Sequence, residues 1–178
     1  MLRLIGLTDR HYGRTAPALV RAAKEARERA VRADASVQNV DFHAAAVLSG
    51  GDHDTGDTYI ETSMLDGPEK IPAIVRAISS MAIHGDRDVL LAVAYGGNPG
   101  EDPKIHAPCA SCMRKLVKFD SDHSCDLVVQ QKGGKLMLLN LGEFVDELDE
   151  RIEAIKRAGG EPKPDEIHAL MLAELQIA

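Results

Sequence analysis

Apolar positions along the chain follow two rhythms, and their alternation predicts the order of elements. Over residues 17–33, Leu19, Ala23, Ala26 and Ala30 recur at helical spacing, and Glu25 pairs with Arg29 one turn on, so a helix is expected. Phe42-His43-Ala44-Ala45-Ala46-Val47-Leu48 is a continuous apolar run closed by Ser49-Gly50-Gly51-Asp52, which predicts a buried strand and a turn. Thr58-Tyr59-Ile60-Glu61-Thr62 alternates and is β-branched, as its hairpin partner would be. Asp66-Gly67-Pro68-Glu69 carries a capping Asp, an early Pro and a first-turn acid, and predicts the next helix start. Ile71, Ile74, Val75, Ile78, Met81 and Ala82 continue that helix to His84-Gly85 as a core-packing stripe.

Residues 88–95 read as a second buried strand, followed by a loop bearing Gly and Pro over 96–107. A helix over 108–119, strands over 126–131 and 135–140 around Gly133-Gly134, and helices over 142–158 and 165–175 complete the series. The order implies an α/β fold: one mixed sheet with helices on its faces, in which two βα units supply parallel crossovers. No repeat, low-complexity tract or interior boundary interrupts it, so residues 1–178 are expected to form a single domain.

Composition narrows the class. With 178 residues, 44% hydrophobic and 28% charged, the chain is neither disordered, collagen-like nor a disulfide scaffold. A net charge of −7 argues against binding a nucleic-acid polymer. The charge is uneven: residues 1–40 hold eight Lys/Arg against four Asp/Glu, and residues 141–178 hold four against ten. Diffuse blocks of this kind are what solvated helix faces produce. No apolar run reaches the roughly eighteen residues of a membrane span, and Met1–Leu7 gives way at once to Asp9, Arg10 and His11. A cytoplasmic protein without a membrane partner is expected.

The chemistry begins at the cysteines, of which there are three: Cys109, Cys112 and Cys125. Pro108-Cys109-Ala110-Ser111-Cys112 opens a predicted helix, and positions i and i+3 bring both sulfurs to one face of its first turn. A helix N-terminus favours thiolates, the form that zinc requires. The same spacing also serves a redox dithiol, or two incidental buried thiols. Cys125 precedes a strand and reads as a small buried residue.

Pro-Cys-x-x-Cys at a helix start, after hairpin, helix and strand, resembles the second half of the signature of the zinc-dependent cytidine deaminases. The likeness is to the small nucleoside deaminases, blasticidin-S deaminase-like proteins included, and spans residues 17–148, leaving 149–178 as a C-terminal helical extension. Phe42-His43-Ala44-Ala45-Ala46-Val47-Leu48 resembles the family's first strand, whose Phe stacks on the base. Ile60-Glu61-Thr62 resembles its Val-Glu-Asn stretch, whose Glu binds ribose hydroxyls, with Tyr59 where an Asn would also hold the sugar. Cys112-Met113-Arg114-Lys115-Leu116-Val117-Lys118-Phe119 resembles Cys-Arg-Gln-Val-Leu-x-Glu-Phe, and Leu141-Gly142-Glu143-Phe144 echoes the terminal loop. The resemblance implies a three-layer cytidine deaminase-like mixed sheet of about five strands with helices on both faces. It also implies zinc on Cys109 and Cys112, substrate binding by Phe42 and Glu61, and a homo-oligomer, tetramer or dimer, acting on a nucleoside-like small molecule.

The family's first half-signature is a Cys or His ligand followed two residues later by a Glu that shuttles protons. It is expected at the helix after the hairpin, at Gly67-Pro68-Glu69-Lys70-Ile71. Two alignments are open there. In one, Glu69 is the ligand and Ile71 replaces the acid; in the other, Glu69 is the catalytic acid and Gly67 occupies the ligand position. His43 and His106 are alternative third ligands. Three readings therefore stand: a zinc-dependent hydrolytic deaminase of a cytosine-type nucleoside with Glu69 catalytic, a catalytically degenerate relative binding a nucleotide-like ligand or a partner subunit, and a structural-zinc or redox module.

Overall fold

The structure, a computed structural model, describes residues 2–10, 12–36, 40–50, 56–63, 71–97, 100–120 and 124–177. Its strands are β1 (Phe42–Ser49), β2 (Thr58–Thr62), β3 (Val89–Gly97), β4 (Lys104–His106), β5 (Asp126–Gln130) and β6 (Leu136–Asn140). Its helices are α1 (Thr15–Ala33), α2 (Ala73–His84), α3 (Ala110–Phe119), α4 (Leu141–Arg157) and α5 (Pro164–Glu174). The strands form one open mixed sheet in the order β2-β1-β3-β5-β6, with β4 added against β3. β3 and β5 are parallel, joined by a crossover through α3, and the other pairs are antiparallel. β2 and β3 flank β1 and both oppose it, so they run the same way and α2 crosses between them.

Alternation along β1 divides the core into two layers. Ala45 and Val47 face one layer with Ala77 and Met81 of α2, Met113 and Leu116 of α3, and Phe144 and Leu148 of α4. Ala46 and Leu48 face the other with Ala16, Leu19 and Ala23 of α1. The helical stripe predicted over residues 17–33 is therefore the buried face of α1, which starts at Thr15. At the β5–β6 turn Gly133 and Gly134 have φ of 106° and 89°, a left-handed pair that lets two opposed strands join tightly.

Two expectations are corrected. The helix after the hairpin opens at Ala73, not at Gly67: Ile71 sits in a β-bridge and Pro72 caps the helix with φ −60° and ψ 142°. A proline holds the residue before it away from helical geometry, so the stripe from Ile74 onward cannot be extended back through Ile71. The loop over 96–107 contains β4, whose three residues are too few to show an alternating pattern.

The C-terminal extension belongs to the core. Met171 of α5 is fully buried against the α2–α3–α4 layer, and His168 packs edge-on to Phe144 at 5.7 Å. Ile177 bridges Gln131, and the Lys132 amide donates to the Gln176 carbonyl at 2.8 Å, which returns the chain end to the β5–β6 turn. Among the described residues no helix is long and apolar enough to cross a membrane. Met171→Ala is expected to cost about 2–5 kcal/mol in urea denaturation; a loss below about 1 kcal/mol would show that α5 is not seated on the core.

Candidate functional site

The two cysteines meet at the tip of α3. Cys109 is the N-cap, extended at φ −61° and ψ 158°, and its sulfur accepts from the Cys112 amide at 3.4 Å. The sulfurs lie 3.0 Å apart, with Cys109 exposed and Cys112 buried. The Cys112 thiol beside it, helped by the amides of Cys112 and Ser111, lowers the Cys109 thiol from 9.0 to about 6, against burial and the Asp165 charge. Cys112 shifts upward, chiefly through its hydrogen-bonding contact with the Cys109 sulfur and then through desolvation. Burial also pushes the Cys125 thiol well up.

Across from these sulfurs stands the tip of α2, and between them is a cavity of about 210 Å³. Pro72, Ala73 and Ile74 line one wall, and Pro108, Cys109 and Cys112 line the other. Asp41 and His43 from the start of β1, Ala94 from β3 and His106 from β4 complete it. The His43 ring nitrogen Nε2 pairs with the Asp41 carboxylate. Its amide donates to the Ser63 hydroxyl oxygen at 2.9 Å, and that hydroxyl donates back to the His43 carbonyl at 3.0 Å. The His106 ring lies 4.3 Å from that of His43, tilted by 60°, and its Nδ1 is 3.1 Å from the Ala107 carbonyl. Gly96 makes this stack possible: a Cβ there would sit 2.3 Å from His43 Nδ1 and 2.6 Å from the Phe42 carbonyl.

The site residues read from sequence separate. Cys109 and Cys112 come together as the spacing implied. Glu61 lies off the cavity, its carboxylate 3.0 Å from the Arg76 guanidinium and accepting from the Ser80 hydroxyl at 2.7 Å. Phe42 is buried on the α1 face of β1, by alternation the side opposite His43, and its carbonyl accepts from Arg27 Nε at 3.1 Å. Glu69 lies outside the described residues. Asp41, Pro72 and Ile74 were not singled out; the available signal was Pro72, whose restriction of Ile71 marks where the helix must begin.

Zinc, as the resemblance implies it, would take a third ligand from the start of the helix after the hairpin. Pro72 and Ile74 present no donor atom there. Among the described residues no group of three or more His, Cys, Asp or Glu side chains is arranged to hold a metal ion. The described donors do not fit that ion.

An open mixed sheet with α1 on one face and α2 and α3 on the other, the helix tips meeting at one sheet end, is the cytidine deaminase-like fold. The chain superposes on the crystal structure of the cytidine deaminase from Bacillus anthracis with a TM-score of 0.53 at 15% identity, over 77% of this chain and 95% of that one. On the cytidine deaminase from Burkholderia pseudomallei the TM-score is 0.50 at 20% identity, over 71% and 92%. No protein-family model matches the sequence, and no curated protein matches it. At these identities the likeness is one of fold.

Two predictions follow from the geometry. Gly96→Ala is expected to displace the His43 ring and to cost about 1–3 kcal/mol by overpacking, measured by urea denaturation; a neutral substitution would contradict the close approach. Alkylation needs the thiolate, so the rate at Cys109 should rise with a midpoint near pH 6, and Cys112→Ala should move that midpoint back toward 9.0. An unchanged midpoint in Cys112→Ala would contradict the sulfur–sulfur contact as its cause.

Proposed function

We propose that this deaminase-fold protein binds a flat, single-ring heterocycle of the nucleobase class in the cavity between α2 and α3 and does not hydrolyse it. The observation that carries this reading is the pair Pro72 and Ile74 at the tip of α2. Hydrolytic deamination needs a metal-polarised water and an acid that carries its proton to the ring and the leaving amine. Pro72 and Ile74, the described residues at that tip, can neither bind a cation nor move a proton. The first half-signature is degenerate on this reading.

The cavity's dimensions and lining support the ligand class. Its 210 Å³ is below the range of about 300–1,000 Å³ typical of sites for drug-sized molecules, so one ring fits better than a whole nucleoside. Ala73, Ile74, Ala94 and Pro108 offer apolar walls to a ring, while Asp41 and the stacked histidines supply a polar edge. The zinc-hydrolase reading rests on Cys109, Cys112 and Glu69, and a direct assay separates the two.

Protein supplemented with zinc should release no ammonia from cytidine or deoxycytidine above the buffer rate. A cytosine- or uracil-type base near one hundred times its dissociation constant should raise the unfolding temperature by about 5–10 °C. Ile74→Trp, which fills the cavity, should abolish that shift. Zinc-dependent ammonia release would overturn the loss of hydrolysis, and the absence of a shift with every such base would overturn the ligand class.

A further inference from the structure

We propose that Cys109 and Cys112 form a two-electron dithiol–disulfide couple that exchanges with small-molecule disulfides, with Cys109 as the attacking sulfur and Cys112 as the resolving one. The sulfurs already lie 3.0 Å apart, and a bond of about 2.05 Å needs a closure of only about 1 Å. Their surroundings give them different parts. Cys109 is exposed at the mouth of the cavity, so an incoming disulfide meets it first, whereas Cys112 is 4% exposed. The Cys112 amide points at the Cys109 sulfur, as it would to stabilise an anion at the N-cap. Opposite the pair, Pro72 and Ile74 offer nothing that would tie the sulfurs to a metal. The third cysteine, Cys125, is fully buried in the core and serves as an internal control.

The exchange balances in two displacements. The Cys109 thiolate attacks one sulfur of R–S–S–R, forming a Cys109–S–S–R bond and expelling RS⁻. The Cys112 thiol gives its proton to that RS⁻, and the resulting Cys112 thiolate attacks Cys109 Sγ, forming the intramolecular disulfide and expelling the second RS⁻. Two electrons pass from the protein dithiol to the small disulfide, and excess thiol reverses both steps. The proposal rests on the reading that no metal holds these sulfurs, and it is independent of which ring fills the cavity.

The test uses the full chain equilibrated in glutathione buffers from fully reduced to fully oxidised, quenched with acid, alkylated and read by mass spectrometry, with zinc measured in the same sample. The expected result is a reversible Cys109–Cys112 disulfide with Cys125 still reduced. Cys112→Ser should accumulate the glutathione mixed disulfide on Cys109, at a rate at least about tenfold above that of Cys112 in Cys109→Ser. Zinc-free, folded protein in which both thiols stay reduced under oxidised glutathione would overturn the couple and leave the proposed function standing. Equal rates in the two variants would overturn the assignment of the attacking sulfur. Stoichiometric zinc released by Cys109→Ser would overturn both this proposal and the metal-free reading beneath it.

Discussion

Strand direction is the constraint from which the site follows. β2 and β3 both oppose β1, so both deliver the chain to the end of the sheet where β1 begins. The helix after each must therefore start there: α2 after β2, and α3 after β3 and its short partner β4. That places two helix N-termini, the first residues of β1 and the edge of β4 around one cavity. Its position follows the general rule that open α/β sheets bind ligands outside the carboxyl ends of their parallel strands.

What such a cavity can do depends on a few side chains at those termini. A helix start favours negative charge, and here the charge is taken by Cys109 within the α3 tip, backed by the thiol of Cys112. α5 closes this corner from behind: burial lowers the His168 pKa, against the Asp165 charge and the Pro108 backbone, and its ring packs edge-on to Phe144. The α2 tip is apolar. One helix start thus presents sulfur nucleophiles and the other presents hydrocarbon, an asymmetry suited to holding a ring against a reactive pair.

Legibility in the sequence tracked how local each signal was. The β1–β2 hairpin showed in an apolar run and a β-branched alternation, and β2 falls on Thr58–Thr62 as read. The cysteine pair showed because i,i+3 spacing at a helix start is a local geometry. The start of α2 did not, because Asp66-Gly67-Pro68-Glu69 offers every capping cue while Pro72, five residues after Gly67, overrides them. The ring contact between His43 and His106 was hidden for another reason. Their rings meet only because β4 folds onto β3 and Gly96 clears the space, a tertiary arrangement that leaves no periodic trace. The stretch beyond residue 148 read as a helical extension outside the resemblance, and Ile152 and Met171 complete the layer that supports α3.

The central claim is that, among the described residues, the wall facing Cys109 and Cys112 supplies no metal ligand. Crystals grown in zinc and measured across the zinc absorption edge test it most directly. The account predicts no anomalous peak near the two sulfurs. A peak about 2.3 Å from both, with a third protein donor completing the shell, would contradict it.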